Sequence, residues 1–102
     1  MPYQAKTTFQ GYYKSGKVVS RGCNAICFEN HGDVVFYINH VYKMEPGAGA
    51  LSINQDSPDH RDITEYEIRF DAEDILSTGT EKKAIVITTF LTKQDSVYAN
   101  DL

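Results

Sequence analysis

The chain has 102 residues, with 10 Lys or Arg against 14 Asp or Glu, and so a net charge of −4. That is one domain's worth of sequence, short enough that its stability margin is thin unless a partner adds to it. The acidic balance, with a pI near 5.2, counts against a nucleic-acid binder with its clustered basic surface, and no apolar run approaches the ~18 residues of a membrane span.

The opening stretch, MPYQAKTTFQ, lacks the apolar core of a signal peptide, so synthesis in the cytosol is expected. Lys6 to Tyr13 reads as a first strand. Gly11 to Lys17, G-Y-Y-K-S-G-K, matches the spacing of a phosphate-binding loop. Such a loop needs Ser or Thr after the lysine, and a helix whose N–H groups meet the phosphate. Val18 follows instead, and Lys17 to Ser20 continues as a second strand, so Lys14 to Lys17 is expected to be a hairpin turn.

Cys23 to Glu29 reads as the third strand. If Cys23 and Cys27 share it, four residues at ~3.3 Å each put them ~13 Å apart, beyond the ~7 Å reach of a disulfide. They would share a face and are expected to pack as reduced, small hydrophobes. No further ligands stand nearby at zinc spacing.

After the turn Asn30-His31-Gly32-Asp33, Val34 to Asn39 (VVFYIN) is apolar on both faces, as a central strand is. Val41 to Met44 and Ala50 to Asn54 follow, separated by Glu45-Pro46-Gly47-Ala48-Gly49. Pro46 sets φ for the first central position of a turn, and Gly47 supplies the positive φ that a type II turn needs next. Gly49 then permits a bulge or bend before alternation resumes.

The loop Asp56 to Asp62 is acidic but contains Arg61, and it lacks the alternating oxygens and glycine of a calcium loop. A solvated connection is expected. Tyr66 to Phe70 alternates cleanly, with Tyr66, Ile68 and Phe70 on one face and Glu67 and Arg69 on the other. Asp71 to Leu76 offers one helical turn, acidic at its start. Ala84 to Thr92 (AIVITTFLT) is β-branched and reads as another central strand. Ser96 to Leu102 is polar enough to fray or to reach a neighbouring subunit. The expected fold is all-β: one antiparallel β-sandwich, or small barrel, of about seven or eight short strands over residues 1–102.

Catalytic, cofactor and metal sites are not expected. His31, His40 and His60 lie apart, with no second histidine two or four residues away. There is no G-x-S-x-G elbow, and neither cysteine has a histidine beside it. The aromatics are seven Tyr and five Phe with no Trp. Tyr3, Phe9, Tyr12, Tyr13 and Tyr98 fall near the termini, outside the most strand-like runs. Tyrosine suits a surface half-buried by a partner, so these five are the candidate interface.

From Asn30 to Asp71 the chain runs as a turn (ENHGD), a strand (VVFYIN), a Pro46-Gly47 turn, a strand (ALSIN), a polar loop and the strand D-I-T-E-Y-E-I-R-F. This order resembles small β-sandwich virion proteins of tailed phages of Bacteroidetes, including crAss-like phages. The resemblance implies a non-enzymatic structural protein, most simply an auxiliary capsid (decoration) protein. It would be present in many copies on the major capsid protein or other virion proteins, neck or tail included. The host cytoplasm would make it, and it would need no cofactor, nucleic acid or membrane. The alternative is a free-standing sandwich that binds a glycan or a peptide strand.

Overall fold

The computed structural model describes residues 3–93. Eight strands follow in order: β1 (Tyr3–Tyr12), β2 (Gly16–Val19), β3 (Ala25–Asn30), β4 (Val35–Ile38), β5 (Tyr42–Met44), β6 (Leu51–Asn54), β7 (Glu65–Asp71) and β8 (Ala84–Lys93). Each overlaps one of the runs read as a strand, with its bounds shifted by up to three residues. No helix occurs among the described residues.

The pairing has a simple logic. β1 pairs β8, β2 pairs β7, β3 pairs β6 and β4 pairs β5, all antiparallel. The chain is thus one long hairpin folded about the β4–β5 turn. Rolling that hairpin up adds β3–β8 and β4–β7, giving two four-stranded sheets, β1-β8-β3-β6 and β2-β7-β4-β5. This order is that of a jelly roll, and with two separate sheets the sandwich, rather than the barrel, is realised.

The core lies between the sheets. Ile26 and Phe28 of β3 and Val86 of β8 face Phe36, Ile38, Tyr66, Ile68 and Phe70 of the opposite sheet. The Phe28 ring meets Tyr66 edge-on across the gap, centroids 5.3 Å apart, and Phe36 meets Phe70 at 5.5 Å. Each fully buried side chain of this size contributes about 1.5–3 kcal/mol.

The two outer faces are treated differently. On sheet β2-β7-β4-β5, the alternation that buries Tyr66, Ile68 and Phe70 turns Glu65, Glu67 and Arg69 to solvent. Val35 and Tyr37 also point outward there, yet Val35 is fully buried. The segment after β7 lies over that position: Ser77 Oγ accepts from the Val35 amide at 2.9 Å, and Tyr37 donates to Asp74 at 2.7 Å. This segment was expected to be a helical turn. It forms two successive turns instead, closed by Asp74 N–Asp71 O and Ser77 N–Asp74 O. The Asp71 and Asp74 carboxylates accept from the amides two residues on, a local bonding that competes with helix formation.

Three more expectations are corrected. Lys14 to Lys17 is no hairpin turn, because β1 and β2 belong to different sheets; the link crosses the sandwich. Cys23 and Cys27 do not share a face. Arg21 and Gly22 adopt positive φ, so Cys23 precedes β3 and enters the core while Cys27 sits half-exposed on the outer side. Gly49 lies before β6 rather than in a paired strand, so it forms no bulge. The type II turn itself holds: Ala48 N donates to Glu45 O at 3.1 Å, and Gly47 has φ +73°. It carries the chain from β5 in one sheet to β6 in the other.

Candidate interaction surface

The first and last described strands, β1 and β8, form a ribbon of ten residue pairs, Tyr3 opposite Lys93 through Tyr12 opposite Ala84. Only Ala84 to Thr89 of β8 also pair with β3. Beyond Thr89 the ribbon runs on past the start of β3.

Strand periodicity divides the ribbon's side chains between two faces. Lys6, Thr8, Gln10 and Tyr12 fall on the inner side with Val86, Thr88 and Phe90. Ala5, Thr7, Phe9 and Gly11 fall on the outer side with Leu91, Thr89, Ile87 and Ile85. In register, Phe9, Ile87 and Cys27 make one row across three strands, with Ala25 and Thr89 beside it. The Tyr13 ring folds back over Gly11, whose missing Cβ would lie 2.7 Å from the tyrosine oxygen. Phe9 is 70% exposed and Tyr13 63%. Among the described residues, the strands place no charged residue on this outer face between the Tyr3–Lys93 pair and Glu29's row, and the Asp59 carboxylate meets Tyr3 at the far end. On the other sheet, β7 turns Glu65, Glu67 and Arg69 outward, although Val19 is exposed beside them.

The candidate interface residues therefore separate. Tyr3, Phe9 and Tyr13 stand on the outer side, and Tyr3 donates to Asp59 at 3.4 Å. Tyr12, one residue out of phase, turns inward and packs half-buried on the core. Tyr98 lies outside the described residues. Ile85, Ile87, Leu91 and Cys27 were missed as surface residues. For the three β8 residues the signal was AIVITTFLT itself, β-branched and read as a central strand; its outward side is only half-buried here, with Phe9 and Cys27 on the flanking strands.

Beneath the ribbon's inner side is a cleft of about 120 Å³, where β1 and β8 overhang the four-residue β2. Thr8, Gln10, Tyr12, Ser20, Arg21 and Phe90 are among its lining. The Thr8 and Thr88 hydroxyls hydrogen-bond across its roof.

A polar clasp fixes the ribbon to the rest of the sandwich. Asn24 is 5% exposed, and its side chain makes four hydrogen bonds. Oδ1 accepts from Leu91 N at 2.7 Å and from Arg61 at 2.9 Å; Nδ2 donates to Pro58 O at 2.8 Å and His60 O at 3.1 Å. Arg61 also donates to Leu91 O at 3.0 Å. The Asp56 to Asp62 loop, expected as a solvated connection, is thus held along β8. The loop histidine pairs with Asp56 rather than with its neighbours Asp59 or Asp62, and that bond lowers the Asp56 pKa.

Asp62, 4% exposed, closes the same corner. Its carboxylate accepts from the Tyr66 hydroxyl and, at 2.7 Å, from Thr64 N, while its backbone oxygen accepts from Ser20. Burial opposes its charge, but these donors outweigh burial and hold the carboxyl below its ordinary range. Burial and the adjacent carboxylate push the Tyr66 hydroxyl up, and burial followed by Asp62 does the same to the Cys23 thiol. Such a hydroxyl stays protonated and such a thiol is a poor nucleophile. The arrangement ties the start of β7 to the segment between β2 and β3.

The other histidines are exposed and each meets one carboxylate: His31 with Glu29 at 2.8 Å and His40 with Glu67. The three histidines stand apart, and among the described residues no group of three His, Cys, Asp or Glu is placed to hold a metal ion. Compared with family models, with curated proteins and with solved structures, the chain matches none.

Proposed function

We propose that the chain is a non-enzymatic virion structural protein, an auxiliary capsid (decoration) protein bound in many copies to the major capsid protein. The observation that carries this reading is the bare outer face of β1, β8 and β3, with Phe9, Ile87 and Cys27 in one row and Tyr13 beside them. A sandwich working alone has reason to keep an outward face charged, as β7 does with Glu65, Glu67 and Arg69; an uncharged face suits contact with another protein. The jelly roll is used by viral capsid domains and by lectins, which supports the reading by analogy of fold alone. A small domain also gains stability by mass action when bound on a lattice, and repetition lets each contact be weak.

The test is fractionation of an infected host culture. The chain is expected to sediment with virions and to be depleted from the soluble lysate. Recovery only as a free monomer, at a copy number unrelated to particles, would overturn the reading.

A second reading, a free-standing glycan-binding module, rests on the cleft, where the Thr8 and Gln10 polar groups stand beside the Tyr12 and Phe90 rings. One saturable glycan on an array, lost in Gln10→Ala, would favour it over the capsid role.

A further inference from the structure

The four sheet edges are unequal. β2 and β6 have four residues and β5 three, whereas β1 has ten. Short edge strands are one of the ways proteins avoid unwanted pairing, together with proline, bulges and charge. β1 contains no proline, and its register against β8 is continuous, without a bulge. Its other side pairs with no described strand. The one protective device it keeps is a charge, Lys6.

Charge decides what can pair there. Residues 1–28 contain Lys6, Lys14, Lys17 and Arg21 and not a single Asp or Glu; all fourteen acidic residues lie from Glu29 onward. β8, the strand that backs β1, has no acidic residue either. The four cations stand on β1, on β2, on the link between them and in the turn after β2, and so on one side of the sandwich. All four are exposed. Lys17 meets Glu65 at 3.2 Å; among the described residues, no carboxylate pairs with Lys6, Lys14 or Arg21. A second copy of β1 would bring the same cations against themselves.

From the unpaired edge and its charge we infer that β1 accepts, by strand addition, an extended acidic segment of another polypeptide. Main-chain hydrogen bonds would give affinity and alternate side chains specificity. Side chains of the added strand that point inward would lie over the cleft, within reach of Lys6 and Arg21. Those that point outward would extend the Phe9 face. This deepens the assembly reading and rests on it only in that the chain works by contact with another polypeptide.

The test uses the full chain, 15N-labelled, titrated with three decapeptides: alternating Glu and Val, alternating Lys and Val, and the Glu/Val peptide interrupted by two prolines. The Glu/Val peptide is expected to give saturable shifts confined to β1 amides and their β8 partners, weakening as salt rises. Lys6→Glu with Arg21→Glu, both at exposed positions, should keep the far-UV spectrum and weaken binding about fivefold to tenfold. The proline peptide should not bind, for want of main-chain donors. Equal response to the lysine peptide, shifts elsewhere, no response, or a concentration-dependent self-pairing through β1 would each overturn the inference. Loss of peptide binding with co-sedimentation intact would remove the edge alone. Loss of co-sedimentation in the wild type would remove the assembly reading itself.

Discussion

The Tyr66 hydroxyl donates to the Asp62 carboxylate four residues earlier in the chain, while the Tyr66 ring packs edge-on against Phe28 of the opposite sheet. One residue thus ties the entry of β7 to both the core and the polar corner. Tyr66→Phe would keep the ring contact and leave a buried carboxylate one donor short. The expected cost is about 1–3 kcal/mol, read as a lower urea midpoint with an unchanged slope. A midpoint equal to wild type would mean that water replaces the hydroxyl without loss.

The same corner sets an acid limit. Burial works to raise the Asp62 pKa, but the Tyr66 and Thr64 donors prevail and place it below its ordinary 3.8. The unfolded chain then takes up this proton more readily than the folded one. The stabilisation is present above the ordinary value and is lost as pH falls through the lowered one. Asp56 beside His60 acts with the same sign. Urea midpoints should therefore fall between about pH 6 and about pH 3, and Asp62→Asn should shrink that difference. An identical difference in the variant would assign the acid sensitivity to other carboxylates.

Why the strands were legible and the surfaces less so follows from what periodicity encodes. Tyr66, Ile68 and Phe70 alternate with Glu67 and Arg69, so both the strand and its buried face could be read directly. AIVITTFLT and VVFYIN carry one signal, apolar on both faces, for two situations. Val35 is covered by the turns after β7 and fully buried, while Ile87 and Leu91 stay half-buried on the outer side of β8. No local pattern separates these cases, because the cover comes from residues about forty positions away in the first. Tyr12 and Phe9 show the complementary point: aromatic content marked both, and only strand phase shows that Phe9 faces outward and Tyr12 inward. Asn24 gave no signal, since its four partners come from two distant stretches of chain, residues 58–61 and Leu91.

Asn24→Ala tests the clasp. The change leaves Leu91 N and the Pro58 and His60 carbonyls without their partner and frees Arg61 from one bond. A loss of about 2 kcal/mol or more is expected, with faster amide hydrogen exchange at Leu91 than at the β3 amides. Exchange unchanged at Leu91 would show that Arg61 alone holds the ribbon.

The β4–β5 turn stores strain that a single change would relieve. Asn39 and His40 both have positive φ, 54° and 62°, and Val41 N donates to Ile38 O at 3.1 Å. Both central residues have the positive φ of a type I′ turn, with Val41 an extra residue before the Ile38–Tyr42 pair, and the second central position of such a turn favours glycine. A non-glycine residue held in this region costs about 1–2 kcal/mol. His40→Gly gives up an exposed pair with Glu67, a small loss, and should stabilise the fold by about 0.5–1 kcal/mol. A destabilised variant would show that the His40–Glu67 pair outweighs the backbone strain.

The outer face gives the prediction closest to function. Phe9 and Tyr13 are mostly exposed, so Phe9→Ser with Tyr13→Ser removes little buried area, and stability should stay within about 0.5 kcal/mol of wild type. Their role in the proposed lattice contact is a different matter, because large aromatics at the centre of an interface carry much of its affinity. The double variant, supplied in place of the wild-type chain during infection, should fold normally yet remain in the soluble fraction when virions are sedimented. Tyr12→Phe serves as the control: its ring turns inward, so co-sedimentation should persist. If the double variant still sediments with particles as well as wild type does, the outer face of the β1–β8 ribbon is not the contact, and the search moves to the opposite sheet or the loop ends.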